Sequence, residues 1–591
     1  MGFIDPHSFA DVDQPLVKSV ALELRLDFDS KTINATADYV LKSAASGTLD
    51  FDTRDLGVEA VTGEGGESVA FDTDHKDAIK GQRLRMHLHG SRLFIRYRIP
   101  PSASALQWLE PAMTAGGKLP FVFTQCQPIH ARSLFPCQDT PAARISYAAR
   151  VEVPKELHVV MSAVHLGREE RGATAFEVFA TEEPIPPYLF AFAAGELQRQ
   201  DLGPRSAVYA EPSMLQAAAR EFEDVEAMIS AAEALFGPYK WGRFDMLLMP
   251  PSFPYGGMEN PRMAFMTPTL ITGDKSLVNV VAHELAHSWT GNLVTNATMD
   301  HFWLNEGFTV YAERRILEAT EGPERVAFHA AIGYAGLLEE LERFGPDSEY
   351  TKLRMNLEGV DPDDVFSDVP YEKGFLFLRH LETAVGRPAF DAFLQAYIAH
   401  FQFQSIDTAT FLAFLHARLP GLPPSLDLPA WIDAPGLPSN APVPRSAALD
   451  KVKSLAAAFP SGARLSEEDH RGWQYLEWQT FLDALPKRLP AADVAWLEDH
   501  FQLAAAPNPE IRITFLVIAA HSDYQPAFPA IHEALLTLGR MKYLKPLYAG
   551  LLAGSPDGHA LASRTFATAA PKYHPIARTV IQGLLDKAAT R

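Results

Sequence analysis

His283-Glu284-Leu285-Ala286-His287 is followed, nineteen residues after its second histidine, by Glu306 within Asn305-Glu306-Gly307-Phe308. Four residues is close to one 3.6-residue turn, so on a helix the two histidines stand one above the other and both imidazoles reach one metal ion from one face. Glu306 supplies a third ligand from a second helix packed alongside. Two histidines and one carboxylate leave a fourth position on zinc for water, which marks a catalytic site rather than a closed structural one. Glu284 is then the general base for that water, and the site reads as hydrolytic, with one Zn2+ per chain. The alternative is a non-catalytic, zinc-containing helical scaffold or binding protein. A structural site has no use for a general base, which counts against that alternative.

Working outward, Ser276 is placed to cap the motif helix, Leu277, Val281 and Leu285 form its apolar stripe, and Gly291 ends it. Residues 303–320 read as the second helix, stopped by Gly322-Pro323. Glu313 lies seven residues beyond Glu306, on nearly the same face; it reads either as an acceptor for a ligand histidine or as a surface ion pair. Upstream stands Pro254-Tyr255-Gly256-Gly257-Met258-Glu259-Asn260. Adjacent glycines let an extended backbone come close to a bound chain, and a carboxylate near the metal but off it pairs with a cationic substrate group. Taken alone, the segment reads rather as a glycine turn with a solvated glutamate.

Together the two motifs resemble the gluzincin aminopeptidases of the M1 family and, more closely, its leukotriene A4 hydrolase-like branch with the bacterial aminopeptidases related to it. The matching segments run from about residue 120 to 545. The resemblance implies that Glu259 binds the free α-amino group of a peptide, with Tyr255, Gly256, Gly257 and Met258 lining the substrate. Thr124-Gln125-Cys126-Gln127-Pro128-Ile129-His130, with Pro136-Cys137-Gln138-Asp139-Thr140, is similar to the N-terminal contribution to that site, so Gln127 and Gln125 are expected to help hold the amine. Val369-Pro370-Tyr371-Glu372-Lys373-Gly374-Phe375 resembles the segment whose tyrosine faces the zinc, which gives Tyr371 a catalytic role. Gly539-Arg540-Met541-Lys542-Tyr543 resembles the C-terminal strip whose cations, Arg540 and Lys542 here, receive a substrate carboxylate. Asp363 matches an aspartate that the lipid-epoxide hydrolase uses to direct water, and so implies a second activity on a leukotriene-like epoxide. Phe366 stands where that hydrolase has a second tyrosine, and Met299 replaces an expected tryptophan.

The implied architecture is multi-domain α+β. It has a saddle-like N-terminal β domain (1–197), a thermolysin-like, mostly α catalytic domain (198–417), a proline-rich linker (418–445) and a C-terminal α-helical domain of armadillo or HEAT type (446–591). Alternation supports the first: Val20, Leu22, Leu24, Leu26 and Phe28 interleave with Glu23, Arg25 and Asp27. Leu84, Met86 and Leu88 alternate likewise, and Gly90-Ser91 then reads as the turn of a hairpin into Leu93, Ile95 and Tyr97. His87 and His89 share a strand face but have no third ligand nearby. Helical patterns recur over 447–458, 472–485 and 492–504, as in stacked antiparallel pairs.

A chain of 591 residues is too long for one core. A net charge of -21 argues against nucleic acid or an anionic membrane as partner. Cys126 and Cys137 are the only cysteines, so there is no disulfide framework. No signal peptide is evident and no apolar run reaches bilayer length. The expectation is a cytoplasmic monomer, without membrane insertion, acting on short peptides with a free N-terminus.

Overall fold

The alternation read at the N-terminus becomes a strand, Val17–Asp27, with Leu22, Leu24 and Leu26 buried on one face. In the computed structural model, which describes residues 4–11, 13–73, 76–254 and 256–589, this strand lies inside a nine-stranded sheet. It pairs antiparallel with Thr32–Thr53 and parallel with Ile145–Pro154. The expected hairpin at Gly90-Ser91 is not formed. Residues 84–97 belong to one strand, Gly81–Ile99, that pairs along Thr32–Thr53 and shifts register between Val40 and Ala45. Residues 41–44 of Thr32–Thr53 stand opposite Ser91 alone at this bulge, Gly90 beside it takes φ 134°, and across it the buried positions of Gly81–Ile99 move from even to odd numbers. His87 and His89 are exposed on it.

A four-stranded sheet follows, ordered His158–Met161, Phe192–Gly195, Phe121–Thr124, Leu106–Leu109. The strand Phe121–Thr124 delivers Gln125 and Gln127 to the catalytic region. That region begins with a five-stranded sheet whose last strand is the short Gly257–Met258, paired antiparallel with Met263–Met266. Helices then predominate to Arg418.

The proline-rich stretch is folded over part of its length. Its short helix Leu428–Ile432 buries Trp431 against Phe377 and His380. Among the C-terminal helices, Tyr475–Asp483 packs against both Ala447–Ala458 and Pro509–His521. The N-terminal sheet and the catalytic region share one continuous apolar core, and the C-terminal helices have their own. Among the described residues, no helix is long and apolar enough to cross a membrane.

Candidate active site

The motif helix runs Asn279–Ala286, with His287 at its C-terminal cap in helical geometry. Ser276 does not cap it; the helix is entered through backbone turns, Val278 N–H to Lys275 O and Val280 N–H to Leu277 O. Ser276 instead accepts from Asn508 Nδ2 at 2.7 Å, which ties the segment before the helix to the C-terminal helices. Gly291, four residues past His287, has φ 109°, and a Cβ there would lie 2.6 Å from His287 Nδ1. The second helix, Trp303–Glu321, ends at Gly322 with φ 93° and carries Glu306 in its first turn.

Packing of these two helices brings three atoms together. His283 Nε2 and His287 Nε2 are 3.2 Å apart, and each lies 3.5 Å from Glu306 Oε2. Ligands of a tetrahedral zinc, each about 2.0–2.1 Å from the ion, stand about 3.3 Å from one another. Among the described residues Glu306 Oε2 is also buried without a hydrogen-bond partner, an arrangement that carries a cost unless a cation completes it. The residues therefore fit the ion.

The outer ring nitrogens are held as metal-binding imidazoles are held. Glu313 Oε2 lies 3.0 Å from His283 Nδ1, so it faces the histidine and not the solvent. His287 Nδ1 meets Thr290 O and Thr309 Oγ1, each at 3.1 Å. Thr309 was findable, because it lies three residues beyond Glu306 on the same helix face. Thr290 is placed only by the turn after the helix.

Glu284 is buried, and burial, followed by the charges of Glu259, Glu306 and Glu313, pushes its carboxyl well above the ordinary value against the pull of His283. Its approach depends on Gly257, where a Cβ would lie 2.1 Å from Glu284 Oε1. Glu259 is also buried and its pKa is raised, chiefly by burial. It accepts from Gln127 Nε2 at 3.1 Å, whereas Gln125 Nε2 points to Met258 Sδ at 3.3 Å. Tyr371 stands on a π-helical turn, Val369–Lys373, with its ring stacked 6.3 Å from His283. Burial, then Glu306 and Glu259, keep its hydroxyl protonated far above the ordinary range.

These groups line one cavity of about 670 Å³. Asp363, about half exposed, lines it too and meets His130 Nε2 at 2.9 Å, a pairing across 233 residues that no local pattern signals. Phe366 packs edge-to-face with Tyr371, ring centroids 5.9 Å apart, and brings no hydroxyl. Met299, Phe302, Met355 and Leu357 form a small apolar cluster in the cavity lining, packed against Tyr371. Arg540 and Lys542 do not line the cavity. Arg540 reaches its edge, where a Cβ on Gly256 would lie 3.3 Å from Nη2, and it donates to Thr269 Oγ1 at 3.1 Å. Lys542 lies behind buried Glu510, to which it donates at 2.9 Å. Tyr255 falls outside the described residues.

Comparison with known proteins places this geometry. The Peptidase family M1 domain matches residues 220–423, the Peptidase M1 N-terminal domain residues 14–189, and the C-terminal domain of leukotriene A4 hydrolase residues 473–585. Leucine aminopeptidase 2 of Yarrowia lipolytica is 38% identical over 98% of this chain and 93% of its own. The chain belongs to peptidase family M1. Leukotriene A-4 hydrolase of Xenopus laevis is 37% identical over 93% of each chain. The solved native leukotriene A4 hydrolase from Saccharomyces cerevisiae superposes with a TM-score of 0.91 at 35% identity, over 99% of this chain and 97% of that one. As an M1 protein the chain is a metallopeptidase whose cofactor is one catalytic zinc ion.

Proposed function

We propose that the chain is a zinc aminopeptidase that removes N-terminal residues from short peptides. One observation carries this reading: a single cavity holds the His283–His287–Glu306 triangle, Glu284, and a buried carboxylate, Glu259, already paired with an amide. His283, His287 and Glu306 would hold the zinc. When bound, the ion lowers the pKa of a water it holds and polarises the scissile carbonyl. Glu284 takes the proton of the attacking water and returns it to the leaving amine. Tyr371 donates its hydroxyl hydrogen to the oxyanion developing on the substrate. Glu259 and Gln127 hold the α-amino group, so only the first peptide bond reaches the centre; Gln125 supports Met258 beside them. Gly256 and Gly257 let the substrate backbone approach. Arg540, with Lys542 behind it, takes the free carboxylate of a short peptide such as a tripeptide.

Aminoacyl-naphthylamides are the test. Hydrolysis should occur, a chelator should stop it, and acetylation of the substrate amine should abolish it; an endopeptidase would still cut a peptide so blocked. Glu259→Gln is expected to lower kcat/KM by roughly 30- to 150-fold, the loss of about 2–3 kcal/mol from one charged hydrogen bond, with most of the change in KM. A change confined to kcat would refute the amine-binding role. Gly257→Ala should leave zinc content intact and cut kcat on the order of 100-fold, because the added methyl displaces Glu284. Wild-type turnover in that variant would show that the close approach is not needed.

Asp363 in the same cavity favours a second reading, addition of water to a leukotriene-like lipid epoxide. Incubation with the epoxide and a search for the dihydroxy acid decides it.

A further inference from the structure

The apolar part of the cavity lining is built from Met299 and Phe302, just before the helix Trp303–Glu321, and from Met355 and Leu357. The second pair belongs to a loop with little regular structure. Asp300 holds its first part, accepting from Leu357 N–H through Oδ1 at 2.9 Å, while its own carbonyl accepts from Met355 N–H at 3.0 Å. The next turn closes with Val360 N–H donating to Leu357 O at 3.0 Å. Both ends of that turn are then gripped by a residue some 350 positions away. His7 Nε2 lies 3.0 Å from Leu357 O and 2.9 Å from Val360 O.

Both acceptors are carbonyl oxygens, so Nε2 carries the hydrogen and donates to them. His7 is 1% exposed. Its backbone N–H donates to Asp5 Oδ1 at 2.9 Å, and the same oxygen lies 3.5 Å from its Nδ1. Burial would lower the pKa of this imidazole, yet Asp5, the Val360 carbonyl and Asp300 together raise it. The segment is anchored at its other side as well: Ser8 Oγ and Phe9 N–H both donate to the Asp52 carboxylate in the nine-stranded sheet, at 2.5 and 2.6 Å. His7 thus joins a rigid sheet to the wall of the cavity.

We propose that His7 is a positioning residue: it holds the Leu357–Val360 turn, and through it the apolar part of the cavity lining, in the shape that admits a large apolar N-terminal side chain. This rests on the aminopeptidase reading above. Glu259 and Gln127 take the amine, and the apolar cluster packs against Tyr371, whose ring stacks on His283, so the side chain of the first residue meets it beside the metal site. A hydrogen bond remote from the reacting atoms matters because a shift of about 1 Å in a pocket wall changes rates by up to about 100-fold.

The test compares the unmodified chain with His7→Ala and His7→Gln on phenylalanyl- and alanyl-naphthylamide, with amide hydrogen exchange followed over residues 353–361. His7→Ala should raise KM for the phenylalanyl substrate about tenfold, leave its kcat within about twofold, and leave the alanyl substrate nearly unchanged. Exchange should quicken at the Leu357–Val360 turn. His7→Gln, whose side-chain amide can donate to both carbonyls, should recover most of the loss. Unchanged exchange at the turn, or an equal loss on both substrates, overturns the proposal. An unmodified chain that cleaves neither substrate sinks the aminopeptidase reading and the proposal with it; activity whose selectivity ignores His7 sinks the proposal alone.

Discussion

Glu284→Gln is expected to bind one zinc per chain as before and to lose turnover on the order of 10³-fold. The substitution keeps the shape of the side chain, so it still fits against Gly257, where there is no room for one more atom. It leaves His283, His287 and Glu306 and their partners Glu313, Thr290 and Thr309 untouched. What it removes is the ability to accept a proton from the attacking water and pass it on. Metal analysis beside kcat on a leucyl-naphthylamide checks both halves. Turnover within tenfold of the parent would show that another group is the base. The buried carboxylate nearest at hand is Glu259, which forms a possible ligand set with Glu284 and His287.

Removal of zinc should have the other large effect, on activity and on stability together. A strong chelator is expected to reduce hydrolysis to background, and one equivalent of zinc to restore it. Among the described residues the Glu306 oxygen of the Nε2, Nε2 and Oε2 triangle has no hydrogen-bond partner, and Glu284 and Glu259 add two buried carboxyls close by. Without a cation these groups can be accommodated only by taking up protons or by moving apart. An ion that binds the folded chain and not the unfolded one stabilises it by about 4 kcal/mol at a thousandfold excess over its dissociation constant. Thermal unfolding should therefore shift upward on zinc addition, and His287→Ala should abolish both the shift and the hydrolysis. Fully active metal-free protein would remove the basis of the mechanism.

Much of this was legible in the chain alone, because helix and strand periods are local. A spacing of four puts His283 and His287 on one face wherever the helix sits, and alternation puts Leu22, Leu24 and Leu26 in a core. The turn of phase at Gly90-Ser91 was legible only as an interruption, since a bulge and a hairpin break the alternation in the same way. The partner strand Thr32–Thr53, which continues past the break, decides between them. The capping role expected of Ser276 failed for a related reason: a serine hydroxyl bonds to whichever donor or acceptor the fold brings near, and here that is Asn508.

By itself the sequence determined the metal-type helix, the carboxylate nineteen residues on, and the order of β, catalytic and helical regions that identifies family M1. Only the tertiary structure decided which distant groups share the cavity: Gln127 on Glu259, His130 on Asp363, and His7 beneath Leu357 and Val360. The physical reason is range. Backbone periodicity acts over four or five residues, whereas a hydrogen bond between side chains hundreds of positions apart exists only once packing of the apolar core has brought their strands and helices together.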